Sequence, residues 1–364
     1  MKEICSVCGR SFEEHELTEF DGRLFCDDCL DEQTVLCYDC DERIYRPQNE
    51  GTSEHPLCRG CYDDEYTYCQ RCGVLLHHDD AYCYGDDDDT PYCLSCYELE
   101  YDSSIKEYSY KPEPIFYGEG NRFFGVELEI DDGGESDSSA DDIMSVGNRT
   151  AEHIYCKHDG SLYDGFEIVT HPMTLEYHLH KMPWKEVTDT AKKLEYISHQ
   201  SDTCGLHIHV NRTTFGADSE TQDEAIARVL YFIEKNWGEM LIFSRRTQEQ
   251  LERWARRYGY KDQPKEVLEH AKQGYGRRYT CVNLTTDSTI EFRIFRGTLK
   301  LNTLYATLQL VNHICDVAVS MSDDEVRHLS WSRFVERITE PELIRYLKER
   351  RLYINDSIET EEEI

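Results

Sequence analysis

The 364-residue sequence predicts an α+β domain built on an antiparallel sheet, preceded by small four-cysteine modules. Three observations carry this reading. Cysteines crowd the first hundred residues in Cys-x-x-Cys pairs. Short segments after residue 120 alternate apolar and ionisable residues at the strand period of two. Helical periodicity returns between them without the regular strand–helix alternation of a parallel sheet.

Of 17 cysteines, 13 precede residue 97, and 12 of these form six pairs: Cys5/Cys8, Cys26/Cys29, Cys37/Cys40, Cys58/Cys61, Cys69/Cys72 and Cys93/Cys96. Cys5, Cys37 and Cys69 are 32 residues apart each time, which makes an internal repeat. Two pairs supply the four thiolates of a tetrahedral zinc ion, and modules this small need metal to fold. A disulfide framework fits worse, because the cysteine total is odd and the chain opens without an apolar leader. About three structural Zn²⁺ are expected. The modules resemble LIM or zinc-ribbon units, except that seven residues rather than two separate Cys29 from Cys37. Pairing within each module is the simplest arrangement, and an interleaved cross-brace is the other. Cys83, His55, His77 and His78 are spare ligands.

Net charge is −34, and residues 1–100 hold 26 acidic against 7 basic side chains. Nucleic-acid affinity is mostly phosphate neutralisation, so no nucleic-acid partner is expected. The acidic modules suit docking of a protein or peptide. No apolar run approaches the ~18 residues of a membrane span, and a cytoplasmic protein is expected.

The expected organisation is three zinc modules (1–100), a linker (101–120), a catalytic-type domain (121–352) and an acidic tail (353–364). Strands are expected near 123–130, 165–170, 205–211, 278–284 and 289–296. Helices are expected near 175–198, 220–243, 246–258, 301–322 and 331–350. The Asp/Ser-rich stretch 131–142 reads as a flexible loop, and the aspartates at 86–89 as a solvated one. Walker A, GxGxxG and G-x-S-x-G motifs are absent from the sequence.

Residues i and i+2 of a strand share a face. Glu127 and Glu129 therefore point together, opposite Val126, Leu128 and Ile130. His207 and His209 do the same against Leu206, Ile208 and Val210, as do Glu291 and Arg293 against Ile290, Phe292 and Ile294. Glu167 lies between Phe166 and Ile168. A single Glu-x-Glu strand is ordinarily a solvated face. Four strands that each turn such groups to one side suit Mg²⁺ or Mn²⁺ and phosphate oxygens. Cys204 beside His207 reads as structural rather than nucleophilic.

In order, the phrases Gly125-Val-Glu-Leu-Glu-Ile130, Lys157-His-Asp-Gly-Ser-Leu162, Gly165-Phe-Glu-Ile-Val-Thr-His-Pro172, Cys204-Gly-Leu-His-Ile-His-Val210 and Glu291-Phe-Arg-Ile-Phe-Arg296 resemble the amidoligase family. That family is related in fold to glutamine synthetase and glutamate–cysteine ligase, the ATP-dependent carboxylate–amine ligases. The resemblance spans roughly 120–320 and implies a glutamine synthetase-like domain. It implies that Glu127, Glu129, Glu167 and Glu291 hold magnesium bridging ATP phosphates, that His207 contacts metal or phosphate with His209 beside it, and that Arg293 binds phosphate. Arg296 lies in opposite phase, so its inward role requires a bulge or the strand's end. Lys157 and Asp159 fall near the site.

The implied reaction is amide formation through an acyl phosphate, with metal and arginine neutralising the phosphoryl group. A phosphotransferase of the same fold and a non-catalytic zinc adaptor are the competing functions. A metallohydrolase built on His207 and His209 ranks below both.

Overall fold

The computed structural model describes residues 2–83, 90–97, 103–273 and 279–353. They fall into two compact units, Met1–Asp102 and Ser103–Ile364. The aspartates at 86–89 and the tail from residue 354 lie outside the described residues.

The sequence repeat is also a structural one. In each module a short antiparallel hairpin flanks the first knuckle: Lys2–Ile4 with Ser11–Glu13, Thr34–Leu36 with Arg43–Tyr45, and Tyr66–Tyr68 with Leu75–His77. The residue after each first knuckle, Gly9, Asp41 or Gly73, takes a left-handed conformation, a turn that glycine and aspartate tolerate best. The helices Asp27–Gln33 and Arg59–Glu65 run straight into the next module's first strand, so no spacer separates the modules. Tyr45 packs edge-on against Phe20 at 5.1 Å, and Arg46 donates to the carbonyls of Asp31 and Glu32 at the preceding helix end. The apolar clusters are tiny: Phe25 and Leu30 in the first module, Ile44 and Leu57 in the second.

The second unit is an α+β fold on a seven-stranded sheet. Its strands are β1 (Ile105–Lys106), β2 (Phe124–Ile130), β3 (Ile154–Lys157), β4 (Phe166–Thr170), β5 (Gly205–Asn211), β6 (Val282–Asn283) and β7 (Thr289–Arg296). Their order is β6-β7-β5-β2-β4-β3-β1, antiparallel throughout except for β1, which runs parallel to β3. Val126, Leu128, Ile208, Ile290 and Phe292 are fully buried in one core with residues of the helices Ser219–Lys235 and Leu301–Ser320. The alternate residues of the same strands are left for the other face, which carries the ionisable groups. Among the described residues no helix is long and apolar enough to cross a membrane.

Several expected elements differ. Residues 137–147, half of them expected as a flexible loop, form a helix capped by Ser136, whose side chain accepts from the Ser139 amide. Its Asp/Ser richness is cap and solvent face, while Ala140, Ile143 and Gly147 form the buried stripe. The helix expected at 175–198 breaks at Pro183, and the one at 220–243 breaks at Asn236. Of the stretch 101–120 expected as a linker, residues 103–120 belong to the second unit: Asp137 accepts from Ser103 and the amides of Ser104 and Ile105.

His178 pins the start of β2. Its Nδ1 accepts from Trp184 Nε1 at 3.2 Å, so its Nε2 carries the proton and donates to the Phe124 carbonyl at 3.0 Å. Burial holds this imidazole down to about 4, so the unfolded chain takes up its proton first as pH falls. The contribution of His178 is complete above about pH 6.5 and is lost towards pH 4, an effect of roughly 3 kcal/mol. All four tryptophans lie in this unit, so urea unfolding followed by their emission at pH 7 and 4.5 isolates it. The loss of stability should be smaller in His178→Gln than in the parent; equal losses would exclude His178 as the titrating group.

Candidate active site and metal centres

Each four-cysteine set converges within its own module: Cys5, Cys8, Cys26 and Cys29; Cys37, Cys40, Cys58 and Cys61; Cys69, Cys72, Cys93 and Cys96. The interleaved alternative is thereby excluded. Sulfurs from opposite knuckles approach to 3.9, 3.7 and 3.8 Å. Four sulfurs ~2.3 Å from a tetrahedral ion lie about 3.8 Å apart, so the spacing fits zinc. All 17 cysteines are free thiols. Burial opposes ionisation of Cys5, but the amides of Cys26, Cys8 and Val7 bring it down to about 6. Burial and the neighbouring sulfurs push Cys29 up to about 12. Four thiolates therefore need a cation between them.

In the second unit, strand register assembles a stripe of ionisable groups across the sheet. Glu127 lies opposite His207, Glu129 opposite Glu167, Glu167 opposite Lys157, and His209 opposite Glu291. His207 is the hub. Its Nδ1 is 3.2 Å from Glu127 and 3.5 Å from Glu291, and its Nε2 is 3.5 Å from Glu129. Two ligand sets result, Glu127/His207/Glu291 and Glu129/Glu167/His207. A neutral imidazole offers one lone pair, so His207 serves one set at a time.

The electrostatics follow from crowding. Burial and then the Glu127 charge raise Glu167 well above the usual carboxylate range. Burial likewise raises Glu129, although His207 opposes it. Burial pushes Glu127 up as well, but it falls well below its usual range, because His209 and His207 flank it. This hard-oxygen and imidazole set fits Mg²⁺ or Mn²⁺.

A cavity of about 460 Å³ opens over the stripe, lined by Glu129, His207, Arg293, Asp159, Tyr108 and Tyr279 among others. A Cβ on Gly205 would come within 2.5 Å of His207 and 2.8 Å of Arg246, so glycine keeps this space open. Arg293 reaches it while pairing with Glu291, which also accepts from Asn283 at 2.8 Å. The required bulge exists: Phe292 faces Ile208 and Phe295 faces Leu206, so three residue steps of β7 span two of β5. The bulge brings Arg296 into phase with Arg293. Its guanidinium nevertheless donates to the carbonyls of Arg245 and Ser201, and Arg296 does not line the cavity.

His209 supports Glu127 at 3.1 Å and joins neither ligand set. Lys157 lies 4.0 Å from Glu167 and 5.2 Å from the Tyr108 ring. Cys204 is buried and its thiol is pushed up to about 12 by burial, which suits a structural role. Sequence reasoning missed Arg246. It is buried and lines the cavity, with its Nε unpartnered and no ion pair among the described residues. Burial lowers it to about 10. It lies just past a helix end, where no periodicity points to it.

Residues 136–315 match the family model described as "Putative amidoligase enzyme". Glu167, His207, Glu291 and Arg293 fall inside this match, whereas the first acidic strand lies upstream of it. No curated protein matches the chain. Among solved structures, the complex between the prokaryotic ubiquitin-like protein Pup and its ligase PafA is similar at 10% identity and a TM-score of 0.29, over 64% of this chain and 62% of that one.

An unpaired buried guanidinium carries a desolvation cost. Arg246→Met is therefore expected to raise the stability of the second unit by about 1–3 kcal/mol in urea, read by tryptophan emission. A lowered midpoint would show that the guanidinium already has partners.

Proposed function

We propose that the second unit, whose residues 136–315 match the amidoligase family model, is an ATP-dependent ligase joining a carboxylate to an amine. The observation that carries this reading is the convergence of four glutamates from three strands on His207, beneath a cavity that Arg246 and Arg293 also line. Glu127, Glu129, Glu167 and Glu291, with His207, would hold Mg²⁺ or Mn²⁺, which when bound neutralises phosphate charge. Arg293 and Arg246 bind the phosphoryl oxygens.

A substrate carboxylate oxygen attacks the γ-phosphorus, the β–γ bridging bond breaks, and ADP leaves with an acyl phosphate remaining. The amine then attacks the acyl carbon, inorganic phosphate departs, and the amine's proton passes to a base. Asp159 is the cavity carboxylate outside both ligand sets. Its Oδ1 accepts from the Ser161 amide at 2.7 Å, which fixes its aim. The three cysteine sets hold one Zn²⁺ each, and the acidic modules dock a protein or peptide substrate through its basic segment.

Mg-ATP binding, measured by calorimetry on the full chain, should weaken by about 10-fold or more in Glu129→Ala and in Arg293→Ala. Parental affinity in both variants would end the site assignment. ADP should form only when carboxylate and amine are both supplied; turnover with a single phosphoryl acceptor would instead mark a phosphotransferase.

Elemental analysis should return about three zinc per chain, and about two in Cys26→Ser, with the tryptophan unfolding transition unchanged. Full zinc content in Cys26→Ser would exclude the first site.

A further inference from the structure

The second unit contains another cavity, about 570 Å³, distinct from the one over the sheet. Lys192, His199, Arg245, Lys300 and Arg350 line it, in a chain whose net charge is −34. Its one acid, Glu349, is already engaged by Lys300 at 2.9 Å and by Arg345 at 3.2 Å. The two arginines have no carboxylate partner among the described residues. Arg350 donates to the Ile242 carbonyl at 2.8 Å. Arg245 reaches the Gly297 carbonyl and His199 Nδ1, each at 3.2 Å, and the Arg296 carbonyl, while its Nε is buried with no partner.

Carbonyl acceptors orient a guanidinium without cancelling its charge. An acidic protein that holds two such groups at one cavity has left room for an anion supplied from outside. Size and lining narrow its class. The volume falls in the range of small-molecule sites, and Tyr196, Leu299 and Tyr346 give part of the wall an apolar character. Bare phosphate would leave that wall uncovered.

We propose that this cavity is a second ligand site, one that takes a small organic oxyanion with a phosphate or carboxylate head against Arg245 and Arg350. It is separate from the sheet site and does not rest on the ligase reading. Charge-assisted hydrogen bonds from the arginines hold the head, and the tyrosine and leucine wall holds the organic body.

Ribose 5-phosphate and succinate, titrated separately into the full-length zinc-loaded chain, distinguish the two heads, and inorganic phosphate reports the head alone. At least one organic probe should bind by calorimetry at or below about 1 mM, more tightly than inorganic phosphate. Arg350→Ala and Lys300→Ala should each weaken that binding at least about five-fold, whereas Arg293→Ala on the sheet should leave it unchanged. Because Arg350 also caps the Ile242 carbonyl, Arg350→Lys and the tryptophan emission control for misfolding. Binding should also raise the proton affinity of His199, read by its NMR titration. In the free protein, burial and the charges of Arg245, Arg296 and Arg350 hold it below the usual value. No binding by either organic probe up to about 10 mM, parental affinity in Arg350→Ala and Lys300→Ala, or loss in Arg293→Ala would each overturn the proposal.

Discussion

Burying carboxylates around one imidazole is the constraint on which the second unit's site depends. Glu129, Glu167 and Glu291 are each nearly inaccessible to water, and Glu127 is only half-buried. An ionised carboxylate removed from water costs several kcal/mol unless matched. The protein matches part of this charge itself: Lys157 lies against Glu167, Arg293 and Asn283 against Glu291, the Gly205 amide against Glu129, and His209 against Glu127. Four acids still outnumber the cations that touch them. Burial together with this remainder drives Glu167 towards its neutral form, and a cation would balance the charge that is left.

The first unit follows the same logic with softer ligands. One thiol of the first set is lowered by backbone amides and another is raised by burial and its neighbours, so ionising all four sulfurs would require a metal among them. Its apolar clusters of a few residues could not hold a module together alone. Both halves of the chain thus concentrate negative charge that folding by itself leaves unbalanced.

Period-two alternation made β2, β5 and β7 legible in the sequence, because each strand buries one face and loads the other. The cysteine repeat was legible for a similar reason, since ligand spacing is local. What sequence could not supply was register. That Glu129 meets Glu167 and that Glu127 meets His207 depends on strand order 5-2-4, which no local pattern encodes. Arg296 shows the difference most clearly: its phase was readable, the bulge that reverses the phase was not, and the outcome is a guanidinium spent on two carbonyls. The Ser136-capped helix was hidden by polar composition, although its buried stripe of Ala140, Ile143 and Gly147 has helical spacing.

Arg245 and Arg246 show why local rules fail where a site is built. The helix Trp237–Ser244 ends on Arg245 in the left-handed region, at φ 65°, where glycine or asparagine would be easier by roughly 1 kcal/mol. Glycine there would remove the strain and also the side chain that ties this turn to the carbonyls of Arg296 and Gly297. Arg296 returns the contact by donating to the Arg245 carbonyl. The left-handed turn lets consecutive arginines serve different cavities, Arg245 one and Arg246 the other. A strained residue survives when its own side chain supplies the contacts that hold the strain, as Arg245 does here.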